Sequence, residues 1–397
     1  TSLPKEEMTL LAHLLGDGCI LPNQPYHYTS ADQANIDSVE EAAKRLFDIQ
    51  AKRVQQNNWV HLYLPSPYRL THNRYHPITL WYNRLDIKRS RSHEKHLPET
   101  IFASSQHDIR HFLRHLWATD GNISTKRIRG RKPSATIYYA SSSKRLGEDV
   151  QSLLLRLGIQ SSLRVSPSRK GHRPMYHVVV QGKCTSSRFL REVGAHGARV
   201  GTIPALLSDL EAIEENTNYD TIPQEAWASY VDPERVAANM TWRELGKRLG
   251  ISYSGSITKT SISRRRLLRY NEVLRSQKLE ALATSDVYWD EIVSITPLGI
   301  QPVYDATVED VHNFLANDIF VHNSIEQDSD VVMFLLRREY YDPYDKPGMG
   351  EVIVGKNRHG PVGSVDVTYR KEFAQFSNYS GMETAEAEEN NAFDAFS

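Results

Sequence analysis

Apolar residues recur three and four positions apart in several segments of residues 1–215, and shorter stretches of alternating apolar and polar residues follow them. The first spacing places apolar side chains along one face of a helix, and the second places them on one face of a strand. This alternation predicts an α+β fold. Residues 286–323, and the stretches EVIVGK and SVDVTYR beyond them, show mainly the strand pattern.

One block of this pattern occurs twice. Residues 26–54 and residues 137–165 each contain a strand ending in Ser, an amphipathic helix, and an Ile-Gln step into a second strand. Upstream of each block a helix pattern ends in Asp-Gly, in LLAHLLGDG and in FLRHLWATDG, so that Asp17 and Asp120 lie 103 residues apart. Self-similarity at a fixed spacing predicts two copies of one structural unit.

Asp17 and Asp120 occupy an unfavourable position for an acid, because the C-terminal end of a helix favours cations. A single Asp-Gly pair is most simply a helix stop. Two acids at equivalent places predict instead a site where a divalent metal ion offsets their repulsion. Such a site requires the two helices to pack closely, and Ala12 and Gly16 are small residues one turn apart that would allow this.

The distribution of charge favours a nucleic-acid binder. The chain has no net charge, yet residues 120–173 contain twelve Lys and Arg against three Asp and Glu, and residues 242–270 contain eight against one. Basic blocks bind polyanions, although a solvated loop is the alternative. Residues 381–397 contain five acids and no base, which predicts an acidic disordered tail.

Residues 216–285 are predicted to form a basic helical DNA-binding subdomain. Within it, residues 241–270 read as a helix, a turn and a second basic helix, which fits either a helix-turn-helix reader of DNA or a basic packing element. No apolar run approaches the length of a membrane span, so we expect no membrane partner. Two cysteines are too few for a disulfide scaffold, which suits the cytoplasm.

With its two Asp-Gly helices, residues 1–215 resemble the two-motif LAGLIDADG homing endonucleases. The resemblance implies two αββαββα halves whose sheets lie in the major groove of double-stranded DNA, with both strands cut. It assigns Asp17 and Asp120 as ligands of catalytic Mg²⁺, and residues 124–136 as a loop that contacts DNA. A basic residue that polarises the scissile phosphate is also expected, with Lys144 and Lys183 as candidates. His115 and Thr119 depart from the family's pattern of small residues.

The stretch HNFLANDIFVHNS, residues 312–324, predicts a hairpin with Asn317-Asp318 as its turn. The amide of Asn323 can attack its own backbone carbonyl and cut the chain. His322 and His312 are suitable acid–base groups for that reaction. Ser324 offers a hydroxyl nucleophile on the downstream side.

The longer string VYDATVEDVHNFLANDIFVHNS resembles the C-terminal splicing motifs of inteins. The resemblance implies that residues 286–323 are the C-terminal half of an all-β splicing (Hint) domain. It assigns Asp305 to the branching and cleavage steps and His312 to Asn cyclisation. His322 is then the penultimate His, Asn323 cyclises, and Ser324 is the first residue of the downstream extein. The expected partners are an N-terminal intein half, either upstream of Thr1 or supplied in trans, and an N-extein.

Residues 324–380 resemble the C-terminal end of DnaB-type replicative helicases, whose motor domain is RecA-like. The resemblance implies that Lys356 and Arg358 face the nucleotide of a neighbouring subunit and that Gln327 senses it. It also implies ATP with Mg²⁺ as cofactor and a homohexamer on single-stranded DNA. The phosphate-binding loop of such an ATPase is not in this sequence.

Three interpretations of the sequence are possible. The first is a replicative helicase interrupted by a self-splicing intein that carries a homing endonuclease. The second is a helicase fragment with a degenerate, catalytically inert intein. A DNA-binding regulator with neither activity is the third, and it leaves the helicase-like sequence after Ser324 unexplained.

Overall fold

The computed structural model describes residues 3–126, 134–167, 173–213, 220–252, 257–302, 308, 313–322, 331–340, 344–357, 359–371 and 375–378. They fall into two compact units, Thr1–Ile295 and Thr296–Ser397. Among the described residues, no helix combines the length and apolar character that crossing a membrane requires.

The first unit begins with two halves that have the same order of elements. The first half comprises α1 (Lys5–Leu15), β1 (Gly18–Cys19), β2 (His27–Ser30), α2 (Gln33–Phe47), β3 (Lys52–Gln55), β4 (Val60–Tyr63) and α3 (Pro77–Arg84), followed by the short α4 (Glu99–Phe102). The second half comprises α5 (Gln106–Asp120), β5 (Gly121–Lys126), β6 (Ser134–Ser141), α6 (Lys144–Arg156), β7 (Ser161–Ser166), β8 (Met175–Val180) and α7 (Lys183–Glu192), followed by α8 (Ile203–Glu211).

Each half contains a four-stranded antiparallel sheet, with strand orders β1-β2-β4-β3 and β5-β6-β8-β7. The αββαββα order predicted for both halves is therefore confirmed. Polar side chains begin the equivalent helices: Asp32 accepts a hydrogen bond at the start of α2, and Ser143 does so at the start of α6. A single hydrophobic core runs through both halves, and α1 and α5 lie side by side within it.

A smaller subdomain with its own hydrophobic core follows. It comprises β9 (Thr221–Ile222), a π-helical turn (Trp227–Val231), α9 (Asp232–Ala237), α10 (Trp242–Leu249), β10 (Ile262–Ser263), α11 (Arg264–Leu274) and α12 (Gln277–Thr284). Residues 250–263 separate α10 from α11. This connection is longer than the three or four residues of a helix-turn-helix, so the two helices do not form that motif directly.

The described part of the second unit consists of β-strands and a short 3₁₀ helix, Arg338–Tyr340. A hairpin pairs β11 (Asn313–Ala316) with β12 (Ile319–His322), and its turn residues Asn317 and Asp318 both have positive φ, at 48° and 63°. The predicted hairpin and turn are confirmed. An antiparallel sheet follows, in the order β13 (Val331–Leu336), β14 (Met349–Asn357), β15 (Gly363–Arg370) and β16 (Gln375–Asn378).

Residues 286–302 differ from the sequence prediction. The strand pattern there predicts pairing, but these residues form no strand. Apolar side chains of the segment are instead exposed, including Ile292 (79%), Val293 (88%) and Ile300 (103%). A strand needs neighbouring strands to satisfy its backbone and to cover its apolar face, and the described chain provides none here.

Candidate active site at the paired helices

The two Asp-Gly helices pack directly against each other, as the sequence predicts. A Cβ built on Gly16 would lie 2.0 Å from Thr119 Oγ1, so only glycine leaves room for the threonine. The bulky His115 is accommodated as well, because its Nδ1 lies 3.1 Å from Nε2 of His13 in a buried hydrogen bond. The departures from small residues therefore do not separate the helices.

The glycine after each acid has a steric reason. A Cβ on Gly18 would lie 2.5 Å from the carbonyl oxygen of Leu14, and one on Gly121 would lie 2.3 Å from that of Trp117. In both cases the obstructing carbonyl belongs to the residue four positions earlier, in the last turn of the helix. The chain can therefore leave each helix sharply only where it has no side chain.

Asp17 and Asp120 lie at neighbouring ends of α1 and α5, close enough for the charge of Asp120 to act on Asp17. Burial raises the pKa of Asp17 to about 7, and the negative charge of Asp120 adds to that increase. Asp120 is exposed to solvent on one side, yet partial burial of its carboxyl group raises its pKa as well. Two acids that resist ionisation together form a place where a divalent cation would be stabilising.

A cation covers the C-terminal end of α1. The ammonium group of Lys95 donates to the carbonyl oxygens of Leu14 (3.3 Å), Leu15 (2.9 Å), Gly16 (3.0 Å) and Gly18 (3.1 Å). Burial lowers the pKa of Lys95 to about 8, while the charges of Asp120 and Asp17 oppose that decrease. Lys95 thus satisfies the carbonyls that a helix end leaves without partners.

Arg199 occupies the same place at the end of α5. Its guanidinium group donates to the carbonyl oxygens of Ala118 and Thr119, the latter at 2.9 Å. Lys95 and Arg199 are 104 residues apart, nearly the spacing of Asp17 and Asp120. The duplicated unit therefore carries an acid and a cation at each helix end.

Neither Lys95 nor Arg199 was predicted from the sequence. The predicted candidates, Lys144 and Lys183, are engaged elsewhere: Lys144 pairs with Glu148 at 3.1 Å, and Lys183 donates to the carbonyl of Ile213 at 2.6 Å. The charges that act on Asp17 are instead those of Lys95 and Arg199. The available signal was the repeat itself, since a basic residue follows each acid by 78 or 79 positions.

The donor set at the helix ends suits a hard cation. Mg²⁺ binds through one or two carboxylates and completes its shell with water and other oxygens. Asp17 and Asp120 supply two carboxylates, and no cluster of three or more His, Cys, Asp or Glu ligands occurs within the part of the chain that the structure describes. The residues present therefore fit Mg²⁺ better than a metal that requires a nitrogen- or sulfur-rich set.

The sheets present a polar and aromatic face opposite their helices, called here the open sheet face. Tyr28, Leu62, Tyr139 and Val178 point into the core. Because side chains alternate along a strand, the neighbouring residues of each strand point to the open sheet face. Thr29 Oγ1 lies 3.0 Å from His61 Nδ1, and the rings of Tyr138 and His177 are 5.1 Å apart. The open sheet face consists of His27, Thr29, Lys52, His61 and Tyr63 in the first half and Asn122, Ser124, Thr136, Tyr138, Arg164 and His177 in the second.

The remaining predicted site residues lie in or near the second unit. His322 ends β12 opposite Asn313, and Lys356 lies in β14 opposite Val332, but their side chains are not described. The other six lie outside the described residues: Asp305, His312, Asn323, Ser324, Gln327 and Arg358. Of the loop at 124–136, the structure describes only the ends that belong to β5 and β6.

Two parts of the chain match known families. Residues 108–194 match the LAGLIDADG-like domain, and residues 315–378 match the DnaB-like helicase C terminal domain.

Curated relatives resemble almost the whole chain. Replicative DNA helicase DnaB of Synechocystis sp. is 42% identical over 94% of this chain and 43% of its own length. The same protein of Nostoc sp. is 43% identical over 94% of this chain and 43% of its own length. Replicative DNA helicase DnaB of Rhodothermus marinus is 41% identical over 95% of this chain and 41% of its own length. The chain therefore spans less than half the length of these relatives.

Solved structures similar to the chain include homing endonuclease I-DmoI. Its mesophilic variants are 14% identical over 48% of this chain and 97% of theirs, with a TM-score of 0.34, and I-DmoI in complex with DNA and Mn gives 0.33. An ATPase domain of known structure is 42% identical over 14% of this chain and 20% of its own, with a TM-score of 0.14. The family matches show that one chain joins a LAGLIDADG-like domain to a DnaB-like helicase C-terminal domain, as in a helicase with an endonuclease-bearing intein.

Proposed function

We propose that residues 1–285 form a Mg²⁺-dependent endonuclease that cuts both strands of a specific DNA duplex. The observation that carries this proposal is the repetition of an acid and a cation at the adjacent ends of α1 and α5. Two equivalent centres suit the two strands of a duplex. The cations lie beside the acids, where they would attract a phosphate group.

Asp17 and Asp120 would hold the metal. Bound Mg²⁺ would stabilise charge that develops on the phosphate and favour ionisation of an attacking water. Lys95 and Arg199 would keep positive charge next to that phosphate, because their hydrogen bonds to helix carbonyls fix both groups in place. The open sheet face would contact the bases, since its Asn, Thr, Tyr, His and Arg side chains can donate and accept hydrogen bonds at base edges.

The helical subdomain would lengthen the DNA contact. Arg264 is internal, donating to Asp220 at 2.9 Å and to several carbonyls, so it is not available to DNA. Arg243, Lys247 and Arg265 are exposed, and their side chains enter no hydrogen bond or ion pair within the described residues. These three are the proposed phosphate contacts of the subdomain.

The choice of test DNA follows from the gene arrangement. An endonuclease encoded within an insertion must spare the gene that carries it, so its target would be the sequence that the insertion interrupts. The appropriate probe is a duplex in which upstream helicase codons run directly into the codon for Ser324. In this duplex, Asp17→Asn and Asp120→Asn should each abolish Mg²⁺-dependent cutting, because the amide gives up the negative charge that the metal requires.

Both variants should bind the duplex as tightly as the parent, which a gel-shift titration measures. Asp86→Asn is a matched control, since it makes the same change at an exposed residue whose positive φ (55°) asparagine also adopts. Parental cutting by Asp17→Asn would refute the assignment. Absence of cutting by the parent itself would favour the alternative of a degenerate, inert insertion.

A second activity, self-splicing, is proposed for residues 286–324. Its support is the confirmed hairpin of β11 and β12, which ends at His322 next to Asn323, and the uncovered apolar segment 286–302. An N-terminal splicing half would cover that segment and supply the strands it lacks. Asp305, His312, His322, Asn323 and Ser324 would then carry out branching, Asn cyclisation and acyl transfer, releasing an intein from its exteins.

Residues 324–380 are proposed to belong to the host helicase. The match to the DnaB-like C-terminal domain and the sheet β13–β16 support this part of the proposal. After splicing, Lys356, Arg358 and Gln327 would contact ATP and its Mg²⁺ at the interface between subunits of a homohexamer on single-stranded DNA. Such a helicase would work on chromosomal DNA in the cytoplasm.

A further inference from the structure

Each cation beside a metal acid belongs to a segment that crosses onto the opposite half. The segment around Lys95 follows α3 of the first half and lies against α6 of the second. Ser143 is buried and is the N-cap residue of α6. Its Oγ donates to the carbonyl oxygen of Lys95 at 2.6 Å. The same Oγ accepts from the backbone N–H of Leu146 at 3.2 Å. Two residues further along, Leu97 donates its N–H to Asp149 of α6 at 2.8 Å.

The segment around Arg199 makes the reciprocal crossing. It follows α7 of the second half and lies against the start of α2 in the first. Asp32 accepts from the N–H of Ala198 at 2.5 Å through one carboxylate oxygen and from that of Ala34 at 3.0 Å through the other. Gly197 has φ +72°, and a Cβ there would lie 2.2 Å from Asp32 Oδ2. His196 Nε2 lies 2.9 Å from the hydroxyl of Ser38.

We propose that Ser143 and Asp32 are positioning residues, each holding the cation that serves the metal acid of the opposite half. Ser143 of the second half fixes Lys95 beside Asp17, and Asp32 of the first half fixes Arg199 beside Asp120. Each cutting centre is therefore completed by a residue from the other half. This inference rests on the proposed endonuclease activity.

If Ser143 positions Lys95, its loss should change the rate of cutting and not only the stability of the fold. Lys95 is held at both ends, by Ser143 at its carbonyl and by α1 at its ammonium group. Loss of the Ser143 contact releases the backbone end and shifts the ammonium group relative to Asp17. Misplacement by about 1 Å can slow a reaction by about 100-fold. The charge of Lys95 also acts on Asp120, but the centre at Asp120 keeps Arg199 and its Asp32 contact. The strand cut at Asp17 should therefore be slowed more than the other strand.

The variants separate positioning from helix capping. Ser143→Ala removes the donor to Lys95, and Ser143→Thr restores a hydroxyl group there. Ser105→Ala is the matched control, because Ser105 caps α5 by accepting from Asp108 at 3.2 Å and has no described contact with the Lys95 segment. Asp32→Asn keeps a good capping oxygen for α2 but replaces the second acceptor, which faces Ala198, with an amino group.

The experiment is single-turnover cutting of the uninterrupted-gene duplex in MgCl₂, with a different dye on each strand. Ser143→Ala should change the ratio of the two strand-cutting rates by about tenfold or more, and Asp32→Asn should change it in the opposite direction. Ser105→Ala should leave the ratio as in the parent, and Ser143→Thr should return it towards the parental ratio. Equal slowing of both strands, an unchanged ratio, or a shift in the same direction for both variants would overturn the proposal.

Hydrogen exchange distinguishes failure of this inference from failure of the endonuclease proposal. Ser143→Ala should deprotect amides in residues 86–97, and Asp32→Asn should deprotect those in 194–200, each without affecting the other segment. If the parent cuts no duplex, the endonuclease proposal fails, and these patterns still decide whether the contacts position the two segments. Unchanged protection in both variants would overturn the inference whatever the cutting shows.

Discussion

The contact between Gly16 at the end of α1 and Thr119 of α5 leaves no room for an additional atom. A Cβ on Gly16 would contact three atoms of Thr119 at 2.0–2.7 Å. Gly16→Ala should therefore lower the free energy of unfolding by about 1–3 kcal/mol, the usual cost of overpacking. Thr119→Gly removes the obstructing atoms, so the double variant should be less destabilised than the sum of the single variants.

Chemical denaturation of the four proteins measures this interaction. Gly201→Ala is a suitable control, since a Cβ at Gly201 meets nothing within 4 Å. Simple additivity of Gly16→Ala and Thr119→Gly would show that the two residues do not compete for the same space.

Individual site residues differ in how far the sequence reveals them. Asp17 and Asp120 could be predicted, because each ends an apolar helix pattern and is followed by glycine. Lys95 and Arg199 form no motif, since their partners are backbone carbonyls, which every residue type supplies. Only their spacing of 104 residues connects them with the acids. Ser143 and Asp32 are recognisable as helix caps, but their contacts with the opposite half arise from the tertiary fold.

At the scale of elements, the pairing of α1 and α5 depends on neutral histidines. Burial lowers the pKa of His13 to about 3 and that of His115 to about 2. Both rings hydrogen-bond to each other, and His13 also bonds to Tyr28 (2.9 Å). In the unfolded chain both histidines are protonated below about pH 6.5, whereas in the folded interface they stay neutral at that pH. Stability should therefore fall as the pH drops below about 6.5, by about 1.4 kcal/mol per pH unit for each histidine.

Comparison with His115→Gln isolates this effect, because Asp17 and Asp149 have raised pKa values and titrate with the opposite sign. Denaturation of the parent and the variant between about pH 7 and pH 5 should show an average slope about 1 kcal/mol per pH unit shallower in the variant. Equal slopes would show that His115 takes up its proton in the folded protein.

The elements that the sequence predicts best are those whose periodicity is complete within one segment. The helices of both repeats, the hairpin β11–β12 and the strands β14 and β15 are of this kind. Residues 286–302 have equal strand character but form no strand. Strand propensity expresses how well side chains fit a half-buried pleated surface, so without that surface the segment remains unpaired.

At the scale of the whole molecule, a neutral chain should behave as a cation towards DNA. If about six phosphates are contacted, affinity should fall about 10³-fold between 50 and 200 mM salt, because binding releases counterions. Lys247→Gln and Arg265→Gln remove two proposed phosphate contacts, so each should make the plot of log affinity against log salt shallower by about one unit. Filter-binding titrations over this range measure the slope.

Arg53→Gln is the control for these variants. Arg53 faces α2, where it pairs with Glu40 and with Asp37 at 2.7 Å, and does not belong to the open sheet face. A parental slope in Lys247→Gln and Arg265→Gln, or binding that does not depend on salt, would contradict the proposed contacts.

The proposed splicing reaction also belongs to the whole molecule, because its groups need more strands than the described part of residues 286–323 provides. The chain should stay intact alone. Combined with an N-terminal splicing half whose first residue is mutated, it should be cut between Asn323 and Ser324. Mass spectrometry would detect a piece that begins at Ser324. Asn323→Ala should prevent the cut, and His312→Ala or His322→Ala should slow it by about 10²–10⁴-fold.

Asn323→Ala is informative because alanine has no amide with which to attack the backbone. Cutting at the parental rate by this variant would place the reaction elsewhere. A combined protein that remains whole would instead favour the inert insertion.

The exposed segment 286–302 makes the newly synthesised chain vulnerable until its apolar side chains are covered. Its isoleucines and valine are as exposed as in unfolded protein, with Ile295 at 84%, so chaperones and proteases would recognise it until strands cover it. If the covering half is part of the same polypeptide, its effective concentration is about millimolar and protection is rapid. If it arrives as a separate chain, the rate depends on cellular abundance, and the intein's survival becomes a question of how much of its partner the cell makes.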